Sequence, residues 1–368
     1  MKKGKAEAKG KFKVCVYSVC KNEEQFVDRW VDSMSEADLI IVTDTGSTDK
    51  TVKKLKKRGV TTYTHVIKPW RFDKARNITL QRIPDDVDIC VSTDLDEVFQ
   101  PGWRENLERA WTEGTKRVKY HYTWSFQKNG EPGVTFFQDR IHARHDYHWI
   151  YPTHECLKYT GDDTEQYVWC PDVRLEHYPD MSKDRSFNLE LLELAVKEWP
   201  EDPRNYHYLG REYMFAGMWD QGIETLKKHI AMPNSKWRAE RSRSMRFIAR
   251  CYKAKSDRQE ARSWYYRAMA EAPGLREPYV EMAKLMYDNK EWAGIYHMVV
   301  EALGIKDRAA YVNDAFCWDY TIYDLGALSC YYLGLREKAL EFAKIAMDME
   351  PDNERLQRNY DIILENQP

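Results

Sequence analysis

An acidic group follows directly on an apolar run in this chain: Ile89-Cys90-Val91-Ser92, then Thr93, then Asp94-Leu95-Asp96-Glu97. Along an extended segment alternate side chains share a side, so Asp94 and Asp96 are expected together, with Leu95 turned away. Two carboxylates converging on one point repel each other unless a cation lies between them. Hard oxygen ligands of this kind suit Mg2+ or Mn2+, which keep positions open for waters and phosphate oxygens. Taken alone, such a triplet is far more often a solvated turn; following a buried strand, the cation site becomes the better reading. A second acidic group stands at Asp44, where the run Leu39–Thr43 breaks into Thr45-Gly46-Ser47-Thr48-Asp49. Those residues suit a helix cap, while a carboxylate at a strand's carboxyl end can also accept from the donors of a nucleotide base or ribose.

Alternating elements must hold these groups in place. Lys13–Ser18, Leu39–Thr43, Thr61–Val66 and Asp88–Ser92 predict strands, and the amphipathic stretches between them, Glu23–Met34, Thr48–Lys57 and Asp73–Gln81, predict helices. That connectivity builds a mostly parallel sheet flanked by helices through right-handed crossovers. Ligands of such sheets collect at the carboxyl ends of the strands, where Ser18, Lys21, Asp44 and Asp94 fall. Aromatic residues crowd 120–151, and their commonest task is core and sheet packing.

After Tyr178 the strand signal fades and a helical unit recurs. Aligning Leu209-Gly210, Ile248-Ala249, Met282-Ala283 and Leu325-Gly326 gives four imperfect units, with Gly222, Ala261, Ile295 and Lys338-Ala339 at the matching place in the next helix. The stretch Tyr206–Tyr213 resembles the tetratricopeptide helix pair. Each such pair leaves an apolar face that only its neighbour covers, so the units stack. The expected organisation is a disordered basic leader over 1–12, an α/β domain over 13–180 and an all-α repeat domain over 181–368.

Composition narrows the function classes. The 368 residues suffice for two domains with cores, and 57 basic against 59 acidic side chains leave no electrostatic footprint for nucleic acid. No segment approaches the ~18–20 uninterrupted apolar residues of a membrane helix. The start is basic without the apolar core of a signal peptide, so a cytoplasmic location is expected. Eight cysteines without a CxxC pair read as reduced core residues. Zinc held by His142, His145 and His148 with Cys156 and Cys170 is a rival site, disfavoured because three-residue spacing scatters the rings on a strand. Dinucleotide, phosphate-loop, HExxH and GxSxG signatures are all missing.

Together, Lys21–Glu24 (KNEE), Val42–Thr51 (VTDTGSTDKT), Asp73–Asn77 (DKARN) and Ser92–Glu97 (STDLDE) resemble glycosyltransferase family 2, the inverting enzymes of the GT-A fold. The resemblance covers roughly residues 13 to 180. It implies a nucleotide-diphosphate sugar donor, most simply a UDP-hexose, with Asp44 at base and ribose and Ser18 in the donor pocket. It further implies Arg76 and Asn77 as the family's ArgAsn pair, Arg76 meeting the diphosphate, with Asp94 and Leu95 beside the donor. Asp94, Asp96 and His177 would hold the Mn2+ or Mg2+. Glu155, in the element Ile150–Tyr159, is the candidate base; its competing role is a salt bridge to a nearby basic residue. The family's usual GluAsp base motif is missing. The domain order also resembles the sublancin-type peptide S-glycosyltransferases, which implies a peptide or protein acceptor (Cys or Ser/Thr) and a homodimer through the repeats as a further expected partner. A lipopolysaccharide or capsule glycosyltransferase and a non-catalytic repeat scaffold are the alternatives.

Overall fold

The computed structural model describes residues 10–126, 130–180, 188–308 and 313–365. The chain divides into two compact units, Met1–Ala195 and Val196–Pro368, where the sequence places the change after 180. Of the expected leader, residues 1–9 lie outside the described residues, while the amides of Lys11 and Phe12 donate to the Glu108 carboxylate.

The first unit opens with β1 (Val14–Cys20), α1 (Val27–Ser33), β2 (Leu39–Asp44), α2 (Thr51–Lys57), β3 (Thr61–Thr64), α3 (Phe72–Leu80) and β4 (Ile89–Ser92), in the expected order. Strand β1, VCVYSVC, is buried along nearly its whole length, as a strand covered on both faces must be. It runs on past Ser18 to Cys20, so Ser18 lies inside the strand. Strands β2 and β4 pair parallel with β1, and β3 with β2.

Both α1 and α2 start later than their amphipathic pattern suggests, because the segments before them bond to each other. Asn22 N donates to Ser47 Oγ (2.9 Å) and Thr48 N to Asn22 Oδ1 (2.8 Å). Glu24 N donates to Asp49 Oδ2 (3.1 Å), Lys50 N to Glu24 Oε2 (2.9 Å) and Glu23 N to Thr51 Oγ1 (2.7 Å). Short polar side chains that satisfy backbone N–H groups compete with helix formation. The motifs 21–24 and 47–51 are therefore two halves of one interlocked structure.

The unit continues with β5 (Glu97–Phe99), α4 (Trp103–Ala110), β6 (Arg117–Thr123), β7 (Thr135–Ala143), β8 (Tyr147–Ile150), β9 (Cys156–Tyr159) and β10 (Tyr167–His177). Eight strands form one sheet in the order β3-β2-β1-β4-β7-β6-β10-β5, and β8 pairs with β9 separately. The half around β1 is parallel; β4–β7, β6–β7 and β5–β10 are antiparallel, and β6–β10 is parallel. Most of the crowded aromatics pack as expected: Tyr120 and Tyr122 join Trp30, Phe99 and Trp103 on one side of the sheet, and Tyr147 and Trp149 join Tyr17 on another cluster.

Two irregularities aim side chains. Val118 pairs with Ile141 and Tyr120 with Gln138, so Asp139 and Arg140 together oppose Lys119, a β-bulge. In β10 the register shifts between Cys170 and Arg174.

The second unit is helical, as the sequence implies. After α5 (Asn188–Glu198), which crosses the division, come the hairpins α6/α7 (Pro203–Phe215, Trp219–Ala231), α8/α9 (Arg238–Ala254, Arg258–Glu271), α10/α11 (Glu277–Tyr287, Trp292–Gly304) and α12/α13 (Thr321–Tyr332, Arg336–Met349), then α14 (Glu354–Glu365). The aligned small residues lie where the helices of a pair approach: a Cβ on Gly210 would meet the Leu226 side chain at 2.5 Å. Each hairpin turns through one left-handed residue: Gly217 (φ 74°), Ser256 (φ 63°), Lys290 (φ 58°) and Gly334 (φ 73°). The fully buried Arg246 is paired with Glu281 and Asp314, and Glu281 also receives Arg250 at 2.6 Å. Among the described residues no helix is long and apolar enough to cross a membrane.

Candidate active site

Arg76 is the hub of the polar cluster at the carboxyl ends of the central strands. Helix α3 carries it, and its side chain is only 3% exposed. Its Nε donates to Glu155 Oε1 (2.5 Å), Nη1 to Ser92 Oγ (3.2 Å) and Nη2 to Asp94 Oδ1 (2.8 Å). The guanidinium lies 5.0 Å over the Trp149 ring. Trp149 in turn donates Nε1–H to the Tyr17 hydroxyl (2.9 Å), and that hydroxyl meets His142 Nε2 (2.9 Å), so the floor beneath Arg76 is a fully buried hydrogen-bonded chain. Asn77 braces the same strand: its Nδ2 donates to Trp149 O (2.8 Å) and its Oδ1 accepts from Trp149 N (2.9 Å).

Glu155 arrives from the loop between β8 and β9. Tyr151 (φ 73°) and His154 (φ 50°) take the left-handed conformation there, which costs non-glycine residues on the order of 1–3 kcal/mol each and persists only where surroundings impose it. Burial of Tyr151 and Thr153, and the bond from Phe72 N to Pro152 O (2.9 Å), supply that constraint. The salt bridge weighed against a basic role is thus present, with Arg76 as partner. Oε2 of Glu155 has no partner among the described residues.

Asp94 does not lie beside Asp96 on an extended strand. The chain turns after Thr93, with Glu97 N bonded to Asp94 O (3.1 Å), and the two carboxylates go to different partners. Asp94 lies between two arginines, Arg76 on Oδ1 and Arg140 on Oδ2 (3.2 Å). Burial raises its pKa, but the two guanidiniums outweigh it and hold the carboxyl well below its ordinary range. Asp96 faces His177, with 3.4 Å between Oδ2 and Nε2. Topology makes this contact: β5 pairs antiparallel with the end of β10, setting His177 opposite Glu97. Burial lowers the His177 pKa, and the Asp96 carboxylate outweighs it, for a net rise.

Leu95 is buried in the main core. Ser18 is buried in β1 and its hydroxyl donates to Val19 O (3.3 Å). The Asp44 carboxylate accepts from the amides of Gly46 (3.2 Å) and Ser47 (3.0 Å), closing the turn after β2. Among the described residues no three His, Cys, Asp or Glu side chains converge as a metal cage. The zinc rival is dispersed: His142 bonds Tyr17, His145 approaches Asp85 O, and His148 faces Asn77. A divalent ion would fit the Asp96–His177 pair, an oxygen and an imidazole nitrogen with coordination left for a ligand, better than it would fit Asp94.

Three neighbours were not marked by the sequence. Glu97 is buried, accepts from Asp94 N (2.8 Å) and Tyr122 OH (2.8 Å), and burial with the adjacent Asp94 charge pushes its pKa up to about 7. Trp124 packs against His177 in a tilted arrangement, with centroids 4.6 Å apart. Arg140 is delivered by the bulge of β7. The acidic cluster at 94–97 hinted at the first and the aromatic crowd at 120–151 contained the second; nothing local hinted at Arg140. Cys156, next to Glu155 in the chain, is the one cysteine of eight that is not buried.

Residues 15–158 match the family model Glycosyl transferase family 2. No curated protein matches the chain significantly. Among solved structures, glucosyl-3-phosphoglycerate synthase from Mycobacterium tuberculosis, in complex with Mn2+, uridine-diphosphate and glucosyl-3-phosphoglycerate, is similar at 25% identity, covering 30% of this chain and 44% of that one with a TM-score of 0.27. YrrB, a TPR protein with an unusual peptide-binding site, aligns at 12% identity over 48% of this chain and 84% of that one (TM-score 0.40). MamA aligns at 18% over 48% and 99% (TM-score 0.37).

Proposed function

From the premise that residues 15–158 are a family 2 glycosyltransferase domain, we propose that the protein transfers a hexose, with inversion, from a UDP-sugar to a peptide or protein side chain (Cys or Ser/Thr) in the cytoplasm. The observation that carries this reading is the junction of Glu155, Arg76, Asp94 and Ser92, drawn from three separate segments onto the carboxyl ends of the central strands.

Single-displacement transfer needs a base on the acceptor side and charge stabilisation at the departing diphosphate. Glu155 is the base. Arg76 fixes one of its oxygens and leaves Oε2 for the acceptor's proton. The strained loop at 151–154 and the Trp149 floor keep that oxygen from wandering, and positioning of this kind supplies much of the rate. Asp96 and His177 are the residues that would hold a divalent ion; bound there, it would neutralise charge on the diphosphate. Asp94, gripped by two arginines, orders the cations around the site. The helical unit supports a peptide acceptor: stacked hairpins offer extended surfaces, and here Phe215, Trp237 and Tyr332 stand exposed.

Incubation with Mn2+ and a panel of UDP-sugars, following UDP release with mass spectrometry of added peptides, tests the assignment. Metal-dependent release that is lost in Asp96→Ala and His177→Ala, with the fold retained, is the expected result. Absence of turnover with every donor would favour the repeat scaffold.

A further inference from the structure

Resting on that reading, we infer that Arg140 is the residue that grips the donor's diphosphate, a role the ArgAsn motif would give to Arg76. Arg76 is 3% exposed and each of its three nitrogens is already bonded within the protein, to Glu155, Ser92 and Asp94. A diphosphate could reach it only by breaking the contact that holds the base. Arg140 differs on both counts. Its side chain is 21% exposed, and Asp94 next to it is 37% exposed, so this pair forms the open side of the cluster.

Only Nη1 of Arg140 is engaged, donating to Asp94 Oδ2 at 3.2 Å with Glu97 Oε1 at 3.8 Å. Its Nε and Nη2 have no partner among the described residues. That leaves a planar edge with spare donors, the shape that binds two phosphate oxygens at once. The Asp94 contact keeps the edge oriented before any ligand arrives, which lowers the ordering cost of binding. Strand β7 runs beside β4, with Ile141 opposite Val91, so the bulge at Asp139–Arg140 brings this guanidinium to the strand end where Asp94 and Asp96 stand.

Calorimetric titration of the full chain with uridine and with UDP, at fixed Mn2+, separates the diphosphate's contribution from that of the nucleoside. Other nucleosides and their diphosphates serve as parallel arms. Wild type is expected to bind UDP more tightly than uridine. Arg140→Gln should shrink that ratio about ten- to a hundredfold, the weight of a lost charge-assisted contact, while uridine affinity stays put. Arg140→Lys, which keeps the charge and the fold but not the fork, should recover part of the ratio.

An unchanged ratio in Arg140→Gln would overturn the assignment while leaving the glycosyltransferase reading intact. Wild type that binds no nucleotide in any arm would overturn both. If Arg140→Gln does not fold, Arg140→Lys decides: a ratio equal to wild type rejects the forked contact, and a reduced one upholds it.

Discussion

At the scale of single residues, the site is an exercise in which carboxylates are left with something to do. Glu155 has one oxygen committed to Arg76 and one without a partner among the described residues, so Glu155→Gln keeps the shape and removes the proposed base. Turnover should fall about 10²- to 10⁴-fold with little change in KM for the donor, as steady-state kinetics will show. Beneath it, His142 is held neutral: burial above all, with Arg117 and Arg144 adding to it, pushes its pKa down to about 3. Its folded value lies below the ordinary 6.5, so its contribution to stability is complete above pH 6.5 and is lost as the pH falls toward 3. Between pH 8 and pH 5 that loss is about 2 kcal/mol. His142→Gln should therefore lose about that much less than wild type over the same interval, measured by urea unfolding at both pH values.

At the scale of elements, local pattern and distant register had unequal visibility. Strands β1 to β4 announce themselves as short apolar runs, and the four hairpins as repeated small-residue pairs, because period and composition are local. Alternation misplaced Asp94 and Asp96, since the bond from Glu97 N to Asp94 O bends the chain where an extended strand was expected. Arg140 was invisible for a different reason. Its aim follows from a two-against-one mismatch with β6, which no window of β7 alone contains. The family resemblance named His177 as a candidate, and the pairing of β10 with β5 explains how it reaches Asp96.

The hairpin turns allow a direct test of backbone cost. Two of the four left-handed positions hold glycine; Ser256 and Lys290 do not. Ser256→Gly and Lys290→Gly should each stabilise the helical unit by about 0.5–1 kcal/mol, the left-handed penalty less the added freedom of the unfolded chain, visible as a raised urea midpoint. The opposite outcome is expected at the buried ionic cluster. Glu281→Ala takes from the wholly buried Arg246 one of its two carboxylate partners, leaving Asp314, and should cost up to about 3–5 kcal/mol, read in the same unfolding experiment.

At the scale of the whole molecule, two units of different construction share one chain. The first is a sheet whose parallel half presents strand ends to a polar cluster, and the second is a stack of helix pairs with exposed aromatic side chains. All eight cysteines are unlinked and seven are buried, with burial raising the thiol pKa of Cys15, Cys20, Cys90 and Cys317 among others. Cys156, adjacent to Glu155 in the chain, is the one that is only half-buried. The chain thereby carries its own occupancy gauge. A thiol-reactive tag applied to the native protein should attach once, at Cys156, and the mass shift of a single adduct will show it. Any compound that covers Cys156 when seated against Glu155 should slow that attachment in proportion to the fraction of chains it occupies.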